Sequence, residues 1–344
     1  MNISSEIEQL RKEAGSSVTI MGHHYQSDAV IKHVQITGDS LELSRKVAGI
    51  DSENIVFCGV FFMAESAALL ARPGQKVYVP EPDADCVMAQ MAPARLLDSV
   101  LKNMNEQGVK VLPLAYVNTS LAIKAVVGAH GGAVCTSANA ETMLRWAFDN
   151  ADKVLFLPDK NLGRNTAKRL GIPADEQIIL NVSGKGANRQ KISDKIKLMH
   201  WPGQCAIHAR FKAGHILKLR EEYPGIKIAV HPECAPEIVN LADEAGSTSF
   251  LIKYAADAPD GSVLGIGTEY NLVHRLAEQH KGRITIIPLL VSLCSCMAQT
   301  TPEAVFKTLK GIAGKDLGFP PVTIDPAEAE PAKLALTRML DACK

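Results

Sequence analysis

The sequence predicts an α/β protein made of three similar α/β/α domains with parallel sheets. Apolar, β-branched runs alternate with segments of helical spacing along the whole chain, which is typical of βαβ units. These units fall into three groups of four, so the chain carries an internal repeat. The apolar fraction of 47% and the aromatic fraction of 5% fit such a fold. We expect domains at residues 1–105, 106–222 and 223–344.

The first domain begins with a polar amphipathic helix over residues 1–15, which lacks the features of a secretory signal. Its four units are VTIMGHHYQSDAVIKHV, ITGDSLELSRKVAG, NIVFCGVFFMAESAALLA and KVYVPEPDADCVM. The first strand ends near His23 and Tyr25, a helix begins near Ser40, and the last unit closes on Cys86.

The second domain repeats this order with KVLPLAYVNTSLAIKAVVG, GAVCTSANAETMLRWAFD, KVLFLPDKNLGRNTAKRL and IKLMHWPGQC. Its first strand ends near Tyr116 and Asn118, a helix begins near Ser137, and Cys205 closes the group. Tyr116 lies 89 residues before Cys205, whereas the matching interval in the first domain is 63. The excess of 26 residues predicts an insertion near residues 172–199.

The third domain contains GIKIAVHPECAPEIVNLAD, GSTSFLIKYAADA, SVLGIGTEYNLVHRLAEQ and ITIIPLLVSLC, and we expect C-terminal helices after them. Its first strand ends near His231 and Glu233, and a helix begins near Ser247 and Thr248. The group closes on Cys294.

Equal intervals relate the first and third domains. From His23 to Ser40 is 17 residues, as is the interval from His231 to Thr248. The intervals from Ser40 to Cys86 and from Thr248 to Cys294 are both 46 residues long. Cys296 lies two residues out of this register, so the repeat favours Cys294 as the functional cysteine.

Charge and apolar patterning narrow the possible partners. The 37 basic and 37 acidic residues give no net charge, which argues against a nucleic acid or an anionic membrane as partner. The longest apolar run, residues 284–298, is broken by Pro288 and is too short to span a bilayer. We therefore expect a cytoplasmic protein with small-molecule partners, whose eight cysteines are reduced rather than paired in disulfides.

The three repeated cysteines suggest a metal centre. Ligands bind beyond the carboxyl ends of parallel strands, so three facing domains would bring Cys86, Cys205 and Cys294 to one cavity. Three thiolates suit an iron–sulfur cluster with one iron left open, or a zinc ion with His208 as fourth ligand. Buried cysteines that serve only as small apolar residues are the alternative.

Hydroxyl groups at the repeated helix starts suggest anion binding. Ser40, Ser137 and Thr248 would lie beside unpaired backbone N–H groups, where carboxylates and phosphates bind. The alternative is ordinary helix capping. Three such positions around one cavity favour a polyanionic substrate.

The first-strand ends suggest proton transfer. His23 with Tyr25, and His231 with Glu233, pair an imidazole with a phenol or a carboxylate, the groups used in acid–base catalysis. Each histidine is alternatively a hydrogen-bonded core residue, and His24 points to the other side of its strand.

For three further charged residues the sequence leaves two alternative roles each, and for one cysteine it predicts no function. Glu65 and Glu269 are either active-site acids or partners of helix dipoles. Lys124 either neutralises a bound anion or lies on a solvated helix face. Cys234 is interpreted as a bystander.

The short motifs together resemble the quinolinate synthase family over residues 18–301. They are GHHYQ, GDSL, GVFFMAE, DADCVMA, YVNTS, CTSANA, PDKNLG, WPGQC, HPEC, GSTS, IGTE and the CxxM ending at Cys294 to Met297. The resemblance implies three α/β/α domains in a pseudo-threefold arrangement around a central active site. It also implies one 4Fe-4S cluster per chain, ligated by Cys86, Cys205 and Cys294, whose open iron acts as a Lewis acid.

The resemblance further implies an enzyme of de novo NAD biosynthesis. Iminoaspartate would condense with dihydroxyacetone phosphate to give quinolinate, phosphate and water, with L-aspartate oxidase as the expected supplier of iminoaspartate. It assigns a catalytic role to Tyr25. The substrate contacts that it implies are His23, Ser40, Tyr116, Asn118, Ser137, His231, Glu233 and Thr248.

Two other functions stay open at this stage. One is an aconitase-type hydro-lyase with an open-iron cluster, and the other is a zinc-stabilised module that binds phosphorylated metabolites. The CSCM sequence departs from the family pattern by an extra thiol, Cys296, which is a candidate alternate ligand or a redox-sensitive neighbour. The excess before Cys205 resembles the longer branch of the family.

Overall fold

The computed structural model describes residues 2–182, 192–314 and 320–343. Every strand in these residues belongs to one of three sheets, and all of the strand pairs are parallel. Helices connect the strands, so the predicted fold class of three α/β units is confirmed. The strands occupy residues 18–78, 112–200 and 227–288, each set inside one predicted domain. The domain boundaries and the pseudo-threefold arrangement stay predictions.

The first unit starts with the predicted amphipathic helix, whose Ile7 and Leu10 are buried. Its elements are α1 (Ile3–Ala14), β1 (Val18–His23), α2 (Asp28–Ile31), β2 (Ile36–Gly38), α3 (Ser40–Val47), β3 (Asn54–Cys58), α4 (Phe61–Leu70), β4 (Lys76–Tyr78), α5 (Val87–Gln90) and α6 (Ala94–Glu106).

The second unit contains the insertion. Its elements are β5 (Leu112–Tyr116), α7 (Leu121–Ala129), β6 (Ala133–Cys135), α8 (Ala140–Asn150), β7 (Val154–Leu157), α9 (Lys160–Arg169), β8 (Gln177–Ile179), β9 (Leu198–His200) and α10 (Ala213–Glu222).

The third unit and the C-terminal helices complete the chain. Their elements are β10 (Lys227–Val230), α11 (Pro236–Leu241), β11 (Glu244–Ala245), α12 (Thr248–Asp257), β12 (Val263–Gly267), α13 (Tyr270–Gln279), β13 (Thr285–Pro288), α14 (Ser295–Ala298), α15 (Pro302–Ile312) and α16 (Pro326–Ala342).

The same strand order appears in all three sheets. It is β2-β1-β3-β4 in the first sheet, β6-β5-β7-β9 in the second and β11-β10-β12-β13 in the third. The second sheet carries β8 as an additional edge strand beside β9. Part of the predicted insertion therefore extends the sheet, while residues 183–191 lie outside the described residues.

The two C-terminal helices lie on the first and second units, although we grouped them with the third range of residues. Helix α15 packs against α1 and β3, and α16 packs against α7 and β6. Ala335, Leu336 and Met339 of α16 are fully buried, which explains this placement, because they complete the apolar core of the second unit. No helix in the described ranges is long and apolar enough to cross a membrane.

Candidate active site

One cavity brings together the residues that the family resemblance implies as metal ligands, catalytic groups and substrate contacts. It is lined by the ends of β1, β5 and β10 and by loops of all three units. The predicted residues in its wall are His23, Tyr25, Ser40, Cys86, Tyr116, Asn118, Ser137, Cys205, His231, Glu233, Thr248 and Cys294. The equal spacing in the sequence therefore corresponds to proximity in the structure.

Local backbone geometry fixes the two histidines in the same way. The backbone N–H of Tyr25 donates to Nδ1 of His23 at 3.1 Å. The N–H of Glu233 donates to Nδ1 of His231 at 3.4 Å. An imidazole that accepts at Nδ1 carries its proton on Nε2 when it is neutral. Both rings can therefore donate a hydrogen bond from Nε2, and His231 directs this nitrogen at the Ser137 hydroxyl, 3.2 Å away.

Burial sets the protonation of these groups. Desolvation lowers the pKa of His23 and of His231 to about 3, so both imidazoles are neutral at neutral pH. Burial alone would raise the pKa of Glu233, but the neighbouring His208 and His231 and hydrogen bonds from His208 and Tyr116 lower it below its usual value. The cavity therefore contains an ionised carboxylate beside neutral hydrogen-bond donors.

The phenols stay protonated. Burial, together with the nearby Glu233 charge, raises the pKa of Tyr25 and of Tyr116 well above 10.0. The Tyr25 hydroxyl lies 2.7 Å from Oγ1 of Thr268 and accepts a hydrogen bond from Thr248 at 3.3 Å. Its ring contacts that of His23 edge-on, with centroids 4.6 Å apart.

A hydrogen-bonded chain connects Tyr25 to Glu233. Oγ1 of Thr268 lies 3.2 Å from Nε2 of His208, and Nδ1 of His208 lies 2.7 Å from Oε2 of Glu233. The His208 ring also stacks on that of His231, with centroids 4.5 Å apart. From the sequence, His208 is expected only as a zinc ligand, and nothing singles out Thr268, although it lies in the IGTE motif.

Ser40 and Thr248 are free of the capping role that was the alternative to anion binding. Both are the first residues of their helices, and the caps are supplied by Asp39 and Ser247, whose side chains accept backbone N–H groups. Asn118 provides a further polar group in the cavity wall, because its Oδ1 is buried without a protein partner. These groups can accept or donate hydrogen bonds to a ligand.

The three repeated cysteines share one local geometry. In each case the backbone N–H of the third residue after the cysteine acts to lower the pKa of the thiol: that of Ala89, His208 and Met297 in turn. All three are free thiols that line the cavity. Burial raises the pKa of Cys86 to about 12 and that of Cys205 well above 9.0, so ligation would release protons. Cys294 lines the cavity, whereas Cys296 is buried beside it.

A compact potential metal group also exists. Among the described residues, ligand atoms of Cys205, His208 and Glu233 lie within 4.8 Å of one another. The three cysteines do not form a group of this compactness.

Other candidates from the sequence have structural roles. Glu269 caps its own helix α13, and Glu65 accepts the N–H of Leu121 at the start of α7, so both carboxylates stabilise helix N-termini. Lys124 is fully buried, donates to the carbonyl of Thr119 and lies 5.2 Å from the centre of the Phe62 ring. The expectation of a solvated helix face for Lys124 is therefore wrong.

The remaining two candidates lie away from the cavity wall. Cys234 is buried behind β10 and contacts the carbonyl of Gly267. His24 faces Glu42, with Nε2 3.7 Å from the carboxylate, and so points away from His23 as the strand alternation predicted.

Comparison with known proteins identifies the family. The family model described as "NadA: Quinolinate synthetase A protein" matches residues 5–341. The chain belongs to the quinolinate synthase family. A quinolinate synthase of Herpetosiphon aurantiacus is 40% identical over 98% of this chain and 92% of its own length. Those of Anoxybacillus flavithermus and Streptomyces coelicolor are 40% and 42% identical over 98% and 96% of this chain, covering 93% and 86% of their own lengths.

The resemblance found in the motifs is thus confirmed, and the chain is an enzyme with small-molecule substrates. Membership in the quinolinate synthase family also accounts for the convergence of the motif residues. GHHYQ, YVNTS and HPEC end the first strands of their units, and all three contribute to the cavity.

Proposed function

We propose that the chain condenses iminoaspartate with dihydroxyacetone phosphate to form quinolinate, phosphate and water, as a step of NAD biosynthesis. The observation that carries this proposal is the cavity that combines three free thiols with the neutral imidazoles of His23 and His231, neutral phenols, hydroxyls and the carboxyl groups of Asp39 and Glu233. Both substrates are anionic and must exchange protons during condensation and dehydration, which matches this set of groups.

The proposed cofactor is one 4Fe-4S cluster held by Cys86, Cys205 and Cys294. The fit rests on three free thiols, one from each unit, that line one cavity, each with the backbone N–H of the third following residue acting on its sulfur. When bound, the cluster would supply an open iron that acts as a Lewis acid on a departing oxygen.

The substrate carboxylates and phosphate are assigned to the hydrogen-bond donors. Neutral His23 and His231 can donate from Nε2, and Ser40 and Thr248 offer hydroxyl groups from the first turns of α3 and α12. Asn118 offers its amide from the end of β5. We assign Ser137 and His231 to the same anionic group of the substrate, because their side chains are hydrogen-bonded to each other.

Proton transfer is assigned to the chain from Tyr25 to Glu233. Tyr25 is a protonated phenol and Glu233 an ionised carboxylate, with Thr268 and His208 between them. A proton released by a substrate to Tyr25 can reach Glu233 if Tyr25, Thr268 and His208 each pass on one proton as they accept one. In the reverse direction the protonated Glu233 returns that proton through His208 and Thr268, and Tyr25 protonates the leaving group.

The test measures iron and acid-labile sulfide per chain after anaerobic purification, beside Cys294→Ser and Cys296→Ser. The proposal expects about four of each in the unchanged protein, their loss in Cys294→Ser and their retention in Cys296→Ser. The loaded protein should produce quinolinate from the two substrates and should not dehydrate citrate-like acids. Zinc without sulfide would instead favour the binding module, with Cys205, His208 and Glu233 as the metal group.

A further inference from the structure

A repeated contact ties each of the three cysteines to the helix that follows the third strand of its unit. The first N–H of that helix donates to the carbonyl two residues before the cysteine. The three pairs are Phe61 with Ala84 at 2.8 Å, Lys160 with Gly203 at 2.9 Å and Tyr270 with Ser292 at 3.0 Å.

In the second and third units a buried carboxylate strengthens this contact. Asp159 caps α9 with Oδ1, which accepts the N–H groups of Asn161 and Leu162 at 2.7 and 2.8 Å. Its other oxygen, Oδ2, accepts the N–H of Cys205 at 2.9 Å. Asp159 is fully buried, so the two oxygens are held by the protein alone.

Glu269 divides its two oxygens in the same way. Oε2 accepts the N–H of Asn271 at 2.8 Å and so caps α13, while Oε1 accepts the N–H of Cys294 at 3.2 Å. Glu269 is also fully buried. The equivalent position in the first unit is Val60, which has no acceptor, and there the neighbouring Asp85 accepts the N–H of Cys86 at 2.8 Å.

We propose that Asp159 and Glu269 are positioning residues for the metal centre: each buried carboxylate joins a helix N-terminus to a ligand cysteine and fixes the direction of its thiol. The proposal rests on the proposed function only in treating these cysteines as ligands. It assigns a role to the PDKNLG and IGTE motifs, whose acidic residues do not line the cavity. The N–H of Cys86 is held only by its sequence neighbour Asp85, so Cys86 is the least constrained of the three cysteines.

The first experiment uses the full chain without its cluster. The rate at which iodoacetamide alkylates each cysteine is measured by mass spectrometry in the unchanged protein, Asp159→Ala and Glu269→Ala. We expect Asp159→Ala to accelerate alkylation of Cys205 roughly fivefold, the equivalent of one lost hydrogen bond, with Cys86 and Cys294 unchanged. Glu269→Ala should act on Cys294 alone. Equal acceleration at all cysteines, or none, would overturn the proposal.

The second experiment follows reconstitution with iron and sulfide and the rate of iron loss to a chelator. Both alanine variants should lose iron faster than the unchanged protein, and Asp159→Asn and Glu269→Gln, which keep one oxygen, should recover part of the difference. Asp325→Ala removes the cap of α16, whose carboxyl group accepts the N–H of Ala327 rather than that of a cysteine, and should lose iron at the unchanged rate.

The two experiments separate the two proposals. If the unchanged protein takes up no iron and sulfide, the proposed function fails, while selective alkylation would still show that Asp159 and Glu269 each constrain one cysteine. If the protein binds a cluster but the alanine variants match Asp325→Ala in both measurements, the positioning role fails and the proposed function stands.

Discussion

At the scale of single residues, the site depends on side chains held by their own neighbours. His23 and His231 both receive a backbone N–H from the residue two positions later, and both are buried in the same cavity. The H-x-Y and H-x-E patterns therefore encode ring orientation as well as chemistry. A sequence can reveal such local geometry, because the partners are only two residues apart.

Tyr25→Phe tests the proton chain. The variant loses the hydroxyl that contacts Thr268 and Thr248 but keeps the ring against His23. We expect turnover to fall by roughly a hundredfold, the size of a general acid's contribution, with iron and sulfide content unchanged. Turnover equal to that of the unchanged protein would remove Tyr25 from the mechanism.

His200→Gln tests how burial of a histidine couples stability to pH. Burial lowers the pKa of His200 from 6.5 to about 3, so between these values the unfolded chain binds a proton that the folded chain does not. The stabilisation is present above pH 6.5 and is lost as the pH falls. Between pH 7 and pH 5, the free energy of unfolding measured with urea should fall by roughly 2 kcal/mol more in the unchanged protein than in the variant.

The matched control for this prediction is His274→Gln, which changes an exposed histidine on α13. Its unfolding free energy should depend on pH as in the unchanged protein. If His200→Gln also follows the unchanged pH dependence, His200 does not carry the coupling.

At the scale of elements, most strand ends and helix starts were predictable because each follows a clear change from alternating to helical spacing. The helix start expected at Ser137 was wrong by three residues, since α8 begins at Ala140 after Asn139. The extra edge strand β8 was not predictable, since Gln177–Ile179 is short and lies in a largely polar stretch, which is typical of a loop. The role of Asp159 was also hidden, because its partner Cys205 lies 46 residues away.

Gly128→Ala tests the contact between α7 and α16. A Cβ at Gly128 would lie 1.8 Å from the carbonyl oxygen of Pro331, so one helix must move. We expect a loss of about 3 kcal/mol in the free energy of unfolding, as for a severe overpacking change. Gly214→Ala, in α10 with nothing within 4 Å of the new Cβ, should cause no loss. Similar effects of the two changes would contradict this close contact.

At the scale of the whole molecule, the site depends on all three units at once. Cys86, Cys205 and Cys294 come from different units, and Tyr25 of the first unit contacts Thr268 of the third. The repeat predicted this convergence, because equal spacing implies equivalent places in equivalent units. It could not predict that α15 and α16 cover the first two units, since packing between distant segments has no spacing signature.

Loading the metal centre should therefore stabilise the three units together. We expect the anaerobically loaded protein to unfold at a higher temperature than the cluster-free protein, because a ligand bound only by the folded state raises stability. Cys294→Ser should lose this increase and Cys296→Ser should keep it. An identical unfolding temperature with and without iron and sulfide would show that the centre does not connect the units.

The packing of α16 against the second unit has a consequence for folding during synthesis. Residues 121–129 leave the ribosome long before residues 326–342, yet Gly128 and Gly132 accept hydrogen bonds from Arg338, and Leu336 and Met339 complete the core. During synthesis this apolar surface stays uncovered until residues 326–342 have been made. A prematurely terminated product that lacks α16 therefore becomes a substrate for chaperones or proteases, so quality control can act on incomplete chains.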